Sequence, residues 1–210
     1  MKIRLLILNL SLLFVTNAFS QKKDDTNAVA LHRHDLRISY SDALTLGISN
    51  FLGVGLSDAL TNTTRSDAKS SGMLTLGYRY SLQRFKVGAD LGFVNITSKA
   101  SFFGEKFPSI KERDLNFIVL PSGEFLYFKK GLVELYGSAG AGVIFSRTSV
   151  SGLNPAGKKY ATGYKSKLTS DFAYQVNPIA IRVGNDRIAG FFEAGLGYKG
   201  FTTIGVSVRF

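Results

Sequence analysis

Apolar and polar residues alternate one by one through most of this chain, and this two-residue period constrains the fold more than any other feature. The final segment shows it clearly, because Ile204, Val206, Val208 and Phe210 alternate with small or charged residues. Successive side chains of a β-strand point to opposite faces, so each such segment has one apolar and one polar face. The pattern predicts eight strands, at about residues 36–41, 74–80, 85–93, 115–128, 133–145, 170–183, 188–197 and 201–210.

The alternation is interrupted at two places. In the fourth predicted strand it slips near Pro121, where we expect a β-bulge that lets a proline lie inside a sheet. In the sixth strand the phase changes at Asn177 and Pro178, and Ile179, Ile181 and Val183 continue the apolar row. Both strands are therefore predicted to continue past their interruption.

The links between the predicted strands differ in length. Those after the second, fourth and sixth strands are short, whereas those after the first, third and fifth are long. Transmembrane barrels have short turns at the periplasmic rim and longer extracellular loops. We therefore predict an all-β fold, an eight-stranded antiparallel up-and-down transmembrane β-barrel, with both ends of the barrel at the periplasmic rim.

The alternative with the same strand count is a soluble, lipocalin-like barrel, whose apolar face surrounds a ligand and whose charged face meets water. In this chain the face opposite the apolar rows is rich in Gly, Ser and Ala and carries single charges. Such a face suits a narrow lumen better than a water-exposed exterior. This composition favours the membrane barrel, with the apolar face outward.

Charged residues of both signs fall on the predicted inner face. An eight-stranded barrel is barely wide enough for its own side chains, so unpaired charges inside it are strongly penalised. A near-balanced set predicts an internal salt-bridge network that plugs the lumen, and the alternative is a narrow ion path lined by the same residues. The candidates are Arg37, Arg79, Lys86, Asp90, Glu124, Glu134, Arg182, Glu193 and Arg209, with Glu124 depending on the position of the bulge.

The two ends of the chain predict export. Lys2 and Arg4 precede an apolar run at residues 5–15, and small residues follow at Ala18 and Ser20, which is typical of a cleaved secretory signal. The run is shorter than the roughly 20 residues that a membrane-spanning helix needs. We predict a signal peptide at 1–20, a periplasmic tail at 21–34 and the barrel at 35–210. The chain has no Cys, so no disulfide supports the fold.

No set of residues predicts catalysis or a bound cofactor. The two histidines, His32 and His34, precede the first strand, away from any nucleophile at the opposite rim. Alternate residues on an extended tail would give at most a weak two-ligand metal contact, so no metal site is assigned. The formal net charge of +11 is not arranged in a continuous stripe, and an exported chain seldom meets nucleic acid. We expect no enzyme activity, cofactor, metal or nucleic-acid partner.

The third long loop, residues 151–170, is the best candidate for an interaction surface. It carries Lys158, Lys159, Lys165 and Lys167, interleaved with tyrosines, and has no acidic residue. Outside an outer membrane the nearest anions are lipopolysaccharide phosphates and carboxylates, so we expect salt-sensitive contact there. The alternative is a solvated loop without a partner.

The signal segment, eight amphipathic strands, alternating links and terminal Val208-Arg209-Phe210 together resemble the small OmpA/OmpX-like, porin-family outer-membrane β-barrels of Gram-negative bacteria. The resemblance implies location in the outer membrane, contact with its lipid and lipopolysaccharide, and recognition of Phe210 by the barrel-insertion machinery. It also implies a nonenzymatic structural, envelope-integrity or surface-interaction role, and we expect a monomer. Two alternatives are a small passive pore and, less favoured, a lipid A modifying enzyme.

Overall fold

The computed structural model describes residues 33–43, 64–102 and 107–210. Eight antiparallel strands pair in chain order, and the first strand also pairs with the eighth, so the sheet closes into a barrel. The predicted fold is confirmed. The signal peptide, nearly all of the predicted tail, and His32 lie outside the described residues. Within the described ranges, no helix has the length and apolarity to cross a membrane.

The strands and one helix have the following bounds: β1 His34–Ser41, β2 Thr64–Leu82, β3 Phe85–Ser101, β4 Ile110–Lys130, β5 Val133–Gly152, α1 Pro155–Gly163, β6 Leu168–Gly184, β7 Ile188–Gly197 and β8 Thr202–Arg209. The links at residues 83–84, 131–132 and 185–187 form one rim, which we call the periplasmic rim. Gly131 supplies the positive φ of 57° that the second of these tight turns requires. The opposite rim, called extracellular, carries the remaining links.

Strands β2 to β5 are longer than the sequence pattern predicts. They contain 17 to 21 residues, whereas β1 and β8 contain eight each. Most of the predicted second long loop is paired strand, because β3 runs to Ser101 and β4 begins at Ile110. The pattern failed there because the outward residues turn polar beyond Phe93 while backbone pairing continues. The link after β7, at residues 198–201, is also short although it lies at the extracellular rim.

One predicted bulge is wrong and one phase change is found. The pairing of β3 with β4 runs without a shift past Pro121, and the irregularity in β4 lies between Leu126 and Phe128. The slip in the sequence arises because Ile118 and Leu120 point into the lumen, which makes both faces apolar. In β6 the register does shift between Val176 and Ile179, as the sequence indicates.

The outer surface of the barrel is apolar. Large aliphatic and aromatic side chains from all eight strands are exposed there, for example Ile38 at 57%, Leu74 at 57% and Val206 at 47%. Alternate residues of the same strands are buried and include most of the charged ones. This arrangement excludes the soluble lipocalin-like alternative, because its apolar face would point inward. It is the arrangement of an outer-membrane barrel.

The lumen has two layers. The periplasmic half contains the buried charges, whereas the extracellular half contains an apolar cluster that the sequence pattern does not predict. The cluster consists of Ala43, Met73, Val94, Ile96, Ile118, Leu120, Ile144 and Ala173, each no more than 6% exposed, with Tyr198 packed against it. The barrel interior is therefore filled by side chains throughout its described height.

Candidate functional site

The charged layer of the lumen contains all nine residues that the sequence singled out. Each is no more than 8% exposed, and Asp35 and Lys199 join them. The layer thus holds six cationic and five acidic side chains. Because β-strand alternation aims every second side chain inward, residues far apart in the sequence meet in this small volume. Their ion pairs form one connected network.

At the periplasmic end, Arg209 of β8 binds Glu134 of β5 through two parallel contacts of 2.9 and 2.6 Å. This bidentate geometry is the strong form of an Arg–carboxylate pair. Arg182 lies 3.6 Å from the same carboxylate, and Arg209 also reaches Asp35 at 3.3 Å. The last strand of the barrel is thereby tied to β5 and β1 across the lumen.

Arg37 is the centre of the network. Its guanidinium lies 2.9 Å from Asp35, 2.8 Å from Glu124 and 3.7 Å from Glu193, and it is 4% exposed. It also stacks over the rings of Tyr136 and Phe191, with centroid distances of 5.5 and 5.3 Å. Such desolvated cation–π contacts add to the ion pairs. Arg37 therefore links the two ends of the charged layer.

Lys86 provides a second cation beside the same acids. Its ammonium group lies 2.8 Å from Glu124 and 3.4 Å from Asp35. Glu124 is thus held between Arg37 and Lys86, and Asp35 is shared by three cations. A carboxylate that is buried to this degree is tolerated only with such partners.

Toward the extracellular half, Glu193 and Asp90 are bridged by Lys199, which lies 3.5 and 3.4 Å from them. Asp90 also pairs with Arg79 at 2.9 Å. Glu193 accepts further hydrogen bonds from Tyr136 and from the side-chain amide of Asn177, at 2.9 and 2.8 Å. Glu193 and Arg209, which the sequence places on neighbouring strands, do not touch and are connected through Arg37 and Asp35.

Two members of the network were missed from the sequence. Asp35 lies two residues before Arg37, so its side chain points to the same face of the strand. Extending the first predicted strand by one residue would have found it. Lys199 lies in the turn after β7, where no alternation exists to reveal that its side chain is buried. Only the fold shows it.

A small cavity lies in the lumen among the described residues. It is large enough for about one water molecule and lies among Arg79, Asp90, Leu120 and Ser122. Buried polar atoms without a hydrogen bond include the Nε atom of Arg79 and the hydroxyl of Ser122, which both line it. A single bridging water would suit these groups. Leu120, which lines this cavity, also belongs to the apolar cluster.

His34 is the first residue of β1 at the periplasmic rim, whereas the sequence pattern placed it in the tail before the first strand. Its Nδ1 atom is 2.8 Å from the Tyr78 hydroxyl, and its ring stacks on Phe210 with centroids 5.5 Å apart. The backbones of His34 and Phe210 also exchange hydrogen bonds of 3.0 and 2.9 Å, which close the barrel at its seam. Within the described residues, no group of three or more His, Cys, Asp or Glu residues is placed to hold a metal ion.

The predicted loop lysines lie on and after the helix α1, which the sequence pattern does not predict. Lys158 and Lys159 belong to α1, Lys165 and Lys167 follow it, and all four are exposed. Asn154 caps the helix by accepting a hydrogen bond of 2.7 Å from the backbone of Gly157. The four lysines are thus carried partly on ordered structure.

The helix α1 is docked against the tip of the β3–β4 hairpin. The Leu153 amide donates to the Ser109 carbonyl at 2.8 Å, and Gly157 packs so closely on that carbonyl that a Cβ atom would not fit. Tyr160 contacts the Phe102 ring at 5.5 Å between centroids and Tyr164 at 6.4 Å. Partial burial raises the pKa of Tyr164, and the nearby Glu112 carboxylate raises it further by a smaller amount. The Tyr164 hydroxyl therefore stays protonated.

No protein-family model matches the chain, and no curated protein matches it. Among solved structures, the chain is similar to the attachment invasion locus protein Ail of Yersinia pestis, with 14% identity, a TM-score of 0.41, and coverage of 85% of this chain and 99% of Ail. It is also similar to the outer membrane protein OprG from Pseudomonas aeruginosa, with 13% identity, a TM-score of 0.44, and coverage of 85% and 96%. The N-terminal β-barrel domain of Pseudomonas aeruginosa OprF has 8% identity, a TM-score of 0.38, and coverage of 85% and 99%.

These similarities concern the fold alone. The outer-membrane location follows from this chain's own closed sheet, its apolar exterior and its charged interior. The chain is a small integral outer-membrane β-barrel.

Proposed function

We propose that this protein is a nonenzymatic outer-membrane barrel with a closed lumen, which acts as a structural or surface-interaction component of the envelope through its extracellular end. The observation that carries the proposal is the filling of the lumen by two successive layers, one charged and one apolar. The domain division at 1–20, 21–34 and 35–210, recognition of Phe210 by the insertion machinery, and a monomeric state are parts of the same proposal.

The charged layer opposes ion passage because its charges are already paired. An ion entering it would have to displace contacts such as Arg209–Glu134 at 2.6 Å and Arg37–Glu124 at 2.8 Å. Breaking a buried pair costs about 3–5 kcal/mol, and the pairs here share partners. The network therefore supports a structural role.

The apolar layer opposes passage for a different reason. Met73, Val94, Ile118 and Leu120 are each no more than 1% exposed and offer no polar group to replace a hydration shell. Hydrophobic constrictions of this kind exclude water and ions by dewetting. An ion path would therefore have to cross two unrelated barriers in series.

The extracellular end supports the interaction role. Lys158 and Lys159 lie on the docked helix α1, and Lys165 and Lys167 follow it. The rings of Phe102, Tyr160 and Tyr164 cluster in the same region. A pre-ordered surface loses less conformational entropy when it binds. We propose that these lysines contact phosphate or carboxylate groups of lipopolysaccharide.

The proposal of a nonenzymatic protein is supported by the position of the described histidine. The His34 ring forms a hydrogen bond with the Tyr78 hydroxyl at the periplasmic rim, and its backbone pairs with that of Phe210 where the barrel closes. A hydrolase acting on outer-leaflet lipid needs a base beside its nucleophile at the opposite rim. The lipid A modifying alternative therefore has no support in the described residues.

Planar-bilayer recording tests the closed lumen. We expect the refolded full chain to show no stable, reproducible conductance at neutral pH, whereas a variant with Met73→Gly, Ile118→Gly and Leu120→Gly should conduct more often because one barrier is removed. Heat-modifiable gel mobility of both proteins verifies that the inserted material is folded. Stable unit conductance from the wild-type chain would overturn the proposal in favour of the small-pore alternative.

A further inference from the structure

Just beyond the apolar belt, the outward face of β3 to β5 becomes basic. The last fully apolar row across these strands is formed by Phe93, Phe117 and Phe145, which pair directly. The outward positions that follow it toward the extracellular rim include four cationic residues, Lys99, Lys111, Arg113 and Arg147. We call these four residues the outward basic cluster.

The four residues lie close together on one surface. Lys99 pairs directly with Lys111, Arg113 pairs with Ser149, and Arg147 pairs with Leu115. With a rise of about 3.3 Å per residue and strands about 4.8 Å apart, the Cα atoms of Arg113 and Arg147 are about 8 Å from each other. Lys99 and Lys111 therefore lie directly opposite each other on neighbouring strands.

Both arginines of the cluster are oriented by the protein. The Nε atom of Arg113 donates to the Asn95 side chain at 3.1 Å, and the Nε atom of Arg147 donates to the Ser166 hydroxyl at 3.2 Å. Both side chains are exposed, and their terminal nitrogens keep donors for a further partner. A guanidinium held in this way is suited to bidentate binding of a phosphate.

The acidic residues of this region occupy the other face of the sheet. Glu112 and Asp114 alternate with Lys111 and Arg113 along β4, so their side chains start on the inner face. Asp114 accepts a hydrogen bond of 2.6 Å from Thr148 there. The outward face of these strands beyond the belt carries no acidic residue among the described positions.

We propose that the outward basic cluster binds the phosphate headgroup of an outer-leaflet lipid. The position of the two arginines favours a lipid over a soluble anion. Arg147 lies two residues beyond Phe145 and Arg113 lies four residues beyond Phe117, at the level where headgroups lie. Acyl chains of the same molecule would cover the adjacent row of Phe93, Phe117 and Phe145. The inference rests on the proposed envelope role and adds a lipid site distinct from the loop lysines.

The test measures lipid binding to the purified, refolded full chain in a zwitterionic detergent by native mass spectrometry. The probe is diphosphorylated lipid A without polysaccharide, compared with its dephosphorylated form. The test variant combines Lys99→Gln, Lys111→Gln, Arg113→Gln and Arg147→Gln. The matched control removes the same number of charges from exposed positions at the periplasmic rim, through Arg33→Gln, Arg84→Gln, Lys130→Gln and Arg187→Gln.

We expect the test variant to bind the phosphorylated probe at least about tenfold more weakly, since it loses the charge-assisted hydrogen bonds to the phosphate groups. The rim control should change less than about twofold, and the dephosphorylated probe should bind all proteins equally weakly. Heat-modifiable mobility shows whether each variant is folded, and if the fourfold variant is not, the pair Arg113→Gln and Arg147→Gln is measured instead.

Equal affinity of the wild-type chain and the folded test variant would overturn the site, as would an equally large loss in the rim control. Neither result would bear on the closed lumen, which the conductance recording tests separately. Failure of the lipid site and failure of the proposed function are therefore distinguishable.

Discussion

Replacement of Arg37 by methionine tests the charged network most directly. Methionine keeps much of the side-chain volume and can still pack on Tyr136 and Phe191, so the change removes mainly the charge and its hydrogen bonds. The described lumen would then hold five cations and five acids instead of six and five. If net charge governed stability, the variant would be no less stable than the wild type.

Local pairing predicts the opposite. Arg37 contacts Asp35 at 2.9 Å and Glu124 at 2.8 Å, and removing one partner of a buried pair costs about 3–5 kcal/mol. Part of the loss is compensated, because Lys86 remains 2.8 Å from Glu124 and Arg209 remains 3.3 Å from Asp35. We therefore expect the free energy of unfolding to fall by about 3 kcal/mol, or more than 100-fold in the equilibrium constant.

The measurement is urea-dependent unfolding in lipid vesicles, with the folded fraction read from gel mobility before boiling. Arg187→Met is the matched control, because Arg187 is exposed in a periplasmic turn and its loss should cost less than about 0.5 kcal/mol. Adding Glu124→Gln to Arg37→Met should recover part of the loss, since the unpaired carboxylate is removed. A loss below about 1 kcal/mol for Arg37→Met would refute the reasoning.

Two further predictions concern single features. Glu193→Gln should lower the free energy of unfolding by about 1–2 kcal/mol, because the amide can keep its contact with Tyr136 but loses the charge that faces Lys199. An unchanged unfolding midpoint would show that Glu193 does not contribute to the network. Replacing the four loop lysines, Lys158, Lys159, Lys165 and Lys167, by glutamine should weaken adhesion of whole lipopolysaccharide to the immobilised protein and reduce its dependence on salt. Gly157→Val, which displaces α1 from Ser109 without changing the charge, should weaken the same adhesion less than the lysine replacements do. Equal adhesion by the wild type, the lysine variant and Gly157→Val would contradict the loop proposal.

The two-residue alternation was sufficient to place the charged residues inside the barrel. Arg37, Glu134 and Arg209 share the inward parity of their strands, and parity is a local property that tertiary contacts do not alter. For the same reason the apolar exterior could be predicted. Around Ile118 and Leu120 both the inward and the outward residues of the strand are apolar. The local pattern is ambiguous there and predicted a bulge that does not exist.

The sequence by itself thus determined the eight strands, their faces and the inward position of the nine predicted charges. The tertiary structure decided which charges meet, because strand tilt and closure bring Arg209 to Glu134 across 75 residues of sequence. It also decided that Lys199 is buried, that an apolar cluster fills the extracellular half of the described lumen, and that β3 to β5 carry the outward basic cluster beyond the belt. These features depend on contacts between distant segments, whereas alternation reports only the direction of each side chain from its own strand.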